Sequence, residues 1–171
     1  DYRTFDCKNE GTPGSYCDDG SAPQLIEECE FGCAGSECLP GIHDVALIDF
    51  TNSIGGIRLE ETNGTDILGN PAQLICNQDY KIGITAENQG NFFENVTFNG
   101  SINGLLFSHN PIDNFAPADT SLKTKPVNFN LLAGLYDIIV NAIIPQDDDL
   151  SDNQATRQIE VVCAECETNE E

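Results

Sequence analysis

Eight cysteines in 171 residues, five of them within the first 38, constrain this chain more tightly than any other feature. Residues 1–40 hold few large apolar side chains (Tyr2, Phe5, Tyr16, Leu25, Ile26 and Phe31) and several glycines. A segment that small cannot stabilise itself by burial, so covalent cross-links must stand in for a core. Cys7, Cys17, Cys29, Cys33 and Cys38 are separated by nine, eleven, three and four residues. A structural zinc site favours repeated short Cys/Cys or Cys/His pairs. Only Cys163-Ala164-Glu165-Cys166 offers one, with no second pair nearby. The pattern therefore reads as a disulfide framework formed in an oxidising compartment.

The remaining composition agrees with a secreted, extracellular protein. N-linked glycans are expected on Asn63, Asn95 and Asn99, which open the acceptors Asn63-Gly64-Thr65, Asn95-Val96-Thr97 and Asn99-Gly100-Ser101. The sequence begins at Asp1 with neither a basic stretch nor an apolar run, as expected of a chain whose signal peptide has been removed. No apolar run approaches the ~18 residues that span a bilayer, so membrane insertion is not expected. Apolar residues make up 39% of the chain, enough for a packed core. Against 7 basic residues stand 29 acidic ones, a formal charge of −22. Such a field repels nucleic acid and anionic membrane surfaces alike.

Along the chain the composition changes once. Residues 1–40 form the cysteine-rich module, residues 41–44 a linker, residues 45–163 a run of short β segments, and residues 164–171 an acidic tail. A short helix is expected over residues 23–33, where Leu25, Cys29 and Cys33 recur at four-residue spacing. The clearest strand lies at residues 80–87: Tyr80, Ile82, Ile84 and Ala86 share one face, Lys81, Thr85 and Glu87 the other. Further strands are expected over residues 45–50, 54–59, 92–98, 102–107, 121–129, 135–144 and 155–163. Seven to nine strands with hardly a helical period between them predict an all-β, antiparallel sandwich.

Three short motifs then carry a resemblance. Ile84-Thr85-Ala86-Glu87-Asn88-Gln89-Gly90 resembles the strand and Asn-x-Gly turn of CARDB-type immunoglobulin-like modules. Gly134-Leu135-Tyr136-Asp137-Ile138 resembles the start of their penultimate strand, and Asp148-Asp149-Leu150-Ser151-Asp152-Asn153 the acidic hairpin before their last one. The resemblance spans residues 44–163. The N-terminal cysteine pattern is similar to small knots found beside such modules in prokaryotic, especially archaeal, surface proteins. The resemblance implies an immunoglobulin-like sandwich that serves extracellular adhesion, spacing or assembly without chemistry. Cys76 and Cys163 depart from it, since the family does not require them.

The residues themselves offer no catalytic constellation. There is no Gly-x-Ser-x-Gly elbow, no His-Glu-x-x-His and no glycine-rich phosphate loop. His43, in the linker, and His109, before Asn110-Pro111 in an expected turn, read as solvated. Asp147, Asp148, Asp149, Asp152 and Asn153 are the best metal candidates, because calcium takes hard oxygens on a flexible loop. A plain solvated acidic turn explains the same residues. Asn95, Thr97 and Asn99 share one strand parity and Val96 and Phe98 the other, so two glycans would project from one solvent face.

Parity also places Cys76 and Cys163 toward the sandwich interior, at one end of an immunoglobulin-like domain, so that a Cys76–Cys163 bridge across the sheets is reasonable. Five cysteines in the N-terminal module and Cys166 in the tail remain. Either the tail folds back within one chain, or Cys166 meets the module of the next copy in a head-to-tail contact. Tyr2 and Phe5 would anchor an assembly made by strand exchange instead. The expected function is a non-catalytic structural subunit of a cell-surface filament, pilus-like fibre or adhesion layer. Its partners would be copies of itself or other surface proteins. The alternative is a secreted module that binds calcium or carbohydrate, although the lack of tryptophan weighs against a sugar platform.

Overall fold

A computed structural model of the chain describes residues 39–163 and, before them, the backbone of five short strands. Strands β1 (Asp6–Lys8), β2 (Ser15–Asp18) and β3 (Glu27–Cys29) pair in that order, and β4 (Cys33–Ala34) pairs with β5 (Glu37–Cys38). The helix expected over residues 23–33 is thus replaced by strand backbone at Glu27–Cys29 and Cys33–Ala34. Four-residue spacing of cysteines serves a ladder as well as a helix face. The side chains of Cys7, Cys17, Cys29, Cys33 and Cys38, the anchors Tyr2 and Phe5, and the tail with Cys166 lie outside the described residues.

Ten strands make two facing sheets. One contains β6 (Val45–Leu47), β7 (Ser53–Ile54), β8 (Ile57–Glu61), β10 (Asp79–Asn88) and β13 (Thr120–Asn128), in the order β13-β10-β8-β7 with β6 on the last residues of β10. The other contains β9 (Ala72–Ile75), β11 (Glu94–Ile102), β12 (Leu105–Phe115), β14 (Gly134–Ile143) and β15 (Gln154–Val162), in the order β12-β11-β14-β15-β9. Within these two sheets every pairing is antiparallel except β15 with β9. The inner faces follow the alternation of the sequence. Tyr80, Ile82, Ile84 and Ala86 of β10 are buried against Val96, Phe98, Ile138, Val140 and Ile159 of the opposite sheet. Each fully buried side chain of this size contributes roughly 1.5–3 kcal/mol, so the core is held by the strands whose alternation was plainest.

Elsewhere the boundaries differ from expectation for local reasons. Residues 102–107 are not one strand, because Asn103 (φ 50°) and Gly104 (φ 77°) form the two-residue turn of the β11–β12 hairpin. Residues 108–115 then continue β12, so Asn110-Pro111 is no turn; as an edge strand, β12 tolerates a proline without an N–H. Residues 45–50 shorten to β6. Residues 54–59 break at Gly55-Gly56 into β7 and β8.

The register fixes two poles. Val45 pairs with Asn88 at the top of β10, while Val162 pairs with Ile75 close to Asp79 at its foot. The chain therefore joins the sandwich at one pole and leaves it at the other, roughly 30 Å away at ~3.3 Å per strand residue.

Candidate functional site at the acidic pole

Three pieces of chain, far apart in sequence, build the pole where the chain joins the sandwich. The first is the Asn88-Gln89-Gly90 turn. Asn88 is buried; its Nδ2 donates to the carbonyls of Phe92 and Phe115, and its Oδ1 accepts from Gly90 N. The second is the linker, bound along that turn: Gln89 N and Gly90 N both donate to Asp44 O, and Ile42 exchanges hydrogen bonds with Asn91. A side chain at position 90 would put its Cβ 2.5 Å from Ile42 O, so only glycine allows the linker this close. The third is the β14–β15 hairpin. Asp148 N donates to His43 O at 2.7 Å, Asp148 Oδ2 accepts from His43 N at 2.8 Å, and Leu47 N donates to Asp152 O at 2.9 Å. The linker is thus sewn to the sandwich on both sides.

This sewing sets Asp44 beside the hairpin acids. Four side-chain oxygens there are buried without a hydrogen-bond partner among the described residues: Asp44 Oδ1, Asp147 Oδ2, Asp152 Oδ1 and Asn153 Oδ1. Asn153 is only 8% exposed and lines one groove with Asp147, Ala142, Ile144 and Leu150. Burial, then the charge of Asp152, then those of Asp147, Asp149 and Asp148, push the Asp44 carboxyl up to about 6. Asp152 is raised by burial and by Asp149. Asp149 is instead lowered, because its Oδ1 accepts from the hydroxyl and the N–H of Ser151. The five hairpin residues singled out in the sequence therefore divide. Asp147, Asp152 and Asn153 each keep one unpartnered oxygen, whereas Asp148 and Asp149, and Asp147 through its other oxygen, cap backbone N–H groups. Asp44 joins the set from about 100 residues away, a contact that only the topology reveals. As they stand, no three acidic, histidine or cysteine side chains among the described residues form a chelating group.

The two histidines are not solvated as expected. His43 stacks flat on Phe92, with ring centroids 4.0 Å apart, and its Nδ1 bonds Glu94 Oε1 at 2.6 Å. His109 is buried on β12. Asn110 N donates to its Nδ1, so Nε2 carries the proton and donates to Ile82 O at 3.0 Å, tying the two sheets together. Burial lowers its pKa. Arg157 is the other buried charge, at 0% exposure, and it donates to the carbonyls of Ile57, Ile67 and Gly69.

At the opposite pole Cys76 and Cys163 form a disulfide with Cα atoms 5.1 Å apart. The pairing is the expected one, but its geometry differs: Cys76 follows β9 and Cys163 follows β15, parallel neighbours in one sheet, so the bridge does not cross the sandwich. Asn63, Asn95 and Asn99 are all exposed, and Asn95 and Asn99 project from the outer face of β11. Asn63 Oδ1 accepts from Thr65 N, and Asn95 Oδ1 from Asn114 N.

The architecture is that of an immunoglobulin-like β-sandwich. More particularly, it has the fold of CARDB-type modules. No family model matches the chain, and no curated protein matches it significantly. Among solved structures it is similar to the crystal structure of the CARDB domain of the PF1109 protein from Pyrococcus furiosus, in complex with di-metal ions. That match has a TM-score of 0.53 at 14% identity, over 74% of this chain and 99% of that one. The solution structure of the same domain matches at a TM-score of 0.46 and 17% identity, over 63% of this chain and 94% of that one. At such identities the likeness speaks for the fold.

Proposed function

We propose that the protein is a non-catalytic, extracellular structural module that works in line with copies of itself or with other surface proteins, in a cell-surface filament or adhesion layer. The observation that carries this reading is the distribution of exposed apolar side chains. Leu105, Leu106, Leu132 and Leu135 are exposed toward the disulfide pole, and Ile42, Phe93 and Leu150 toward the acidic pole, with Phe50, Leu68 and Leu122 exposed on the flanks. Apolar surface exposed at both ends offers contact area to a neighbour in line. Chain direction supports the same geometry, because contacts between unlike poles repeat head to tail and propagate. Glycans on Asn95 and Asn99 would keep a flank of the sandwich free of partners, and the Cys76–Cys163 bridge suits an oxidising exterior. No helix among the described residues is long and apolar enough to cross a membrane.

The test is the assembly state of protein from its native source, by light scattering and by non-reducing gels with and without reductant. Oligomers at micromolar concentration that Leu106→Glu with Leu132→Glu disperses would support polar contacts. A ladder collapsing on reduction would add Cys166 as a covalent link. A strict monomer at tens of micromolar would overturn the filament.

A further inference from the structure

We propose that the acidic pole binds one hard divalent cation, calcium by its ligand chemistry, through Asp44 Oδ1, Asp147 Oδ2, Asp152 Oδ1 and Asn153 Oδ1. Three facts carry this beyond a cluster of acids. First, these four oxygens have no partner among the described residues, while the other oxygens of the hairpin acids cap N–H groups: Asp147 Oδ1 accepts from Asp149 N, Asp148 Oδ2 from His43 N and Asp149 Oδ1 from Ser151. Second, one of the four belongs to a neutral amide. Asn153 is more than nine-tenths buried, and its Oδ1 gains nothing from being near carboxylates. A buried acceptor without a donor costs about 1–3 kcal/mol, and ionised carboxylates offer it no proton, whereas a cation bound among them would satisfy it together with them. Third, the scarce cationic side chains lie elsewhere. The charges that act on Asp44 and Asp152 are all those of other acids, with no lysine or arginine among them.

All four donors are oxygen, which selects calcium or magnesium over zinc or copper. Three carboxylates and an amide, from a strand-capping linker and a hairpin, make an irregular set that suits calcium; magnesium demands a near-ideal octahedron and keeps its waters. Waters and backbone carbonyls complete the six to eight ligands that calcium takes. The side chains do not yet stand as a chelating group. Binding therefore requires the hairpin and Asp44 to close on the ion, which like charges oppose until the ion is present.

The consequence is mechanical. Asp44 closes the linker that leads from the N-terminal module, while Asp147, Asp152 and Asn153 belong to the β14–β15 hairpin. One ion would bolt the linker to the sandwich at the point where an in-line protein bears load. The inference is independent of self-assembly, since a monomer can bind the ion equally well.

The experiment titrates calcium chloride into the full chain, stripped with chelator, by calorimetry at 0.15 M salt, alongside Asp44→Asn, Asp152→Asn and Asp137→Asn. Asp137 lies on β14 toward the disulfide pole and serves as a charge-matched control. The expected result is one saturable site with a Kd of roughly 10⁻⁴–10⁻³ M, the range of extracellular calcium modules. Asp44→Asn and Asp152→Asn each weaken it at least tenfold, Asp137→Asn less than twofold, and magnesium binds at least tenfold more weakly. Thermal melts of each variant establish that it is folded. Non-saturating uptake that tracks net charge alone, or equal weakening by Asp137→Asn, overturns the proposal.

Discussion

Arg157 and Asp44 both carry charge into the sandwich, Arg157 between the sheets and Asp44 at the acidic pole, and their surroundings could hardly differ more. The guanidinium of Arg157 donates to three backbone carbonyls, from Ile57, Ile67 and Gly69, and only its Nε lacks an acceptor among the described residues. Its pKa is lowered by burial, yet a guanidinium stays charged. Asp44 has a carboxylate oxygen without a donor, and the charges around it are Asp152, Asp147, Asp149 and Asp148. Backbone carbonyls can be bent toward a buried cation anywhere in a β-sandwich. Anions shielded from water need donors, and Asp44 Oδ1, Asp147 Oδ2 and Asp152 Oδ1 have none among the described residues. One site is closed by the protein itself; the other is left open, and the cation proposed above would close it.

Substitutions at the two sites test that contrast. The largest effect is expected at Arg157. Replacing it with Met strands three carbonyls and should cost about 3–5 kcal/mol, read as a lower urea midpoint, with or without calcium. A cost under about 1 kcal/mol would mean that Arg157 is not a closed site. Next, 10 mM calcium should stabilise the wild-type chain by about 1.5–3 kcal/mol, as the Kd range above requires. The same increment should appear in Arg157→Met, because the two sites share no partner. Third, Asp148→Ala removes the acceptor for His43 N and should cost about 1 kcal/mol equally in both conditions. A calcium-dependent cost would place Asp148 among the ligands instead.

The smallest effect belongs to His109. Its folded pKa lies below the ordinary 6.5 through burial, so the unfolded chain binds the proton more readily. Stability from this group is complete above pH 7 and declines as pH falls below about 6.5. The chain should lose stability between about pH 6.5 and pH 5, and His109→Gln should flatten that limb of the melting profile.

Much of the sandwich could be read from alternation alone. Tyr80 to Ala86 show their inward face in the sequence, as do Val96 and Phe98. Strands β14 and β15 fall within one residue of the spans read from the sequence, whereas β6 is three residues shorter than expected. The misses are physical as well. Asn110-Pro111 looks like a turn unless the strand is known to sit at a sheet edge. Four-residue β9 carries too few side chains to show a period, so Cys76 was assigned a cross-sheet partner when its partner lies one strand over. At the acidic pole the hairpin residues are legible because all five fall within one stretch of seven. Asp44 was not, since nothing in the linker marks it; the Asn88-Gly90 turn brings it there, by a close approach that a side chain at Gly90 would block. His43 read as solvated for the same reason, its partners Phe92 and Glu94 being about 50 residues distant.

The most direct test of the contrast is the melting temperature of Asp44→Asn beside wild type, first in chelator and then in 10 mM calcium. Removing a half-buried charge surrounded by the charges of other acids should raise the melting temperature by a few degrees in chelator, on the order of 1 kcal/mol. Removing a ligand should leave the variant below wild type once calcium is present. The two curves must therefore exchange order. If Asp44→Asn melts lower in both conditions, or if both chains gain equally from calcium, the acidic pole is not a cation site.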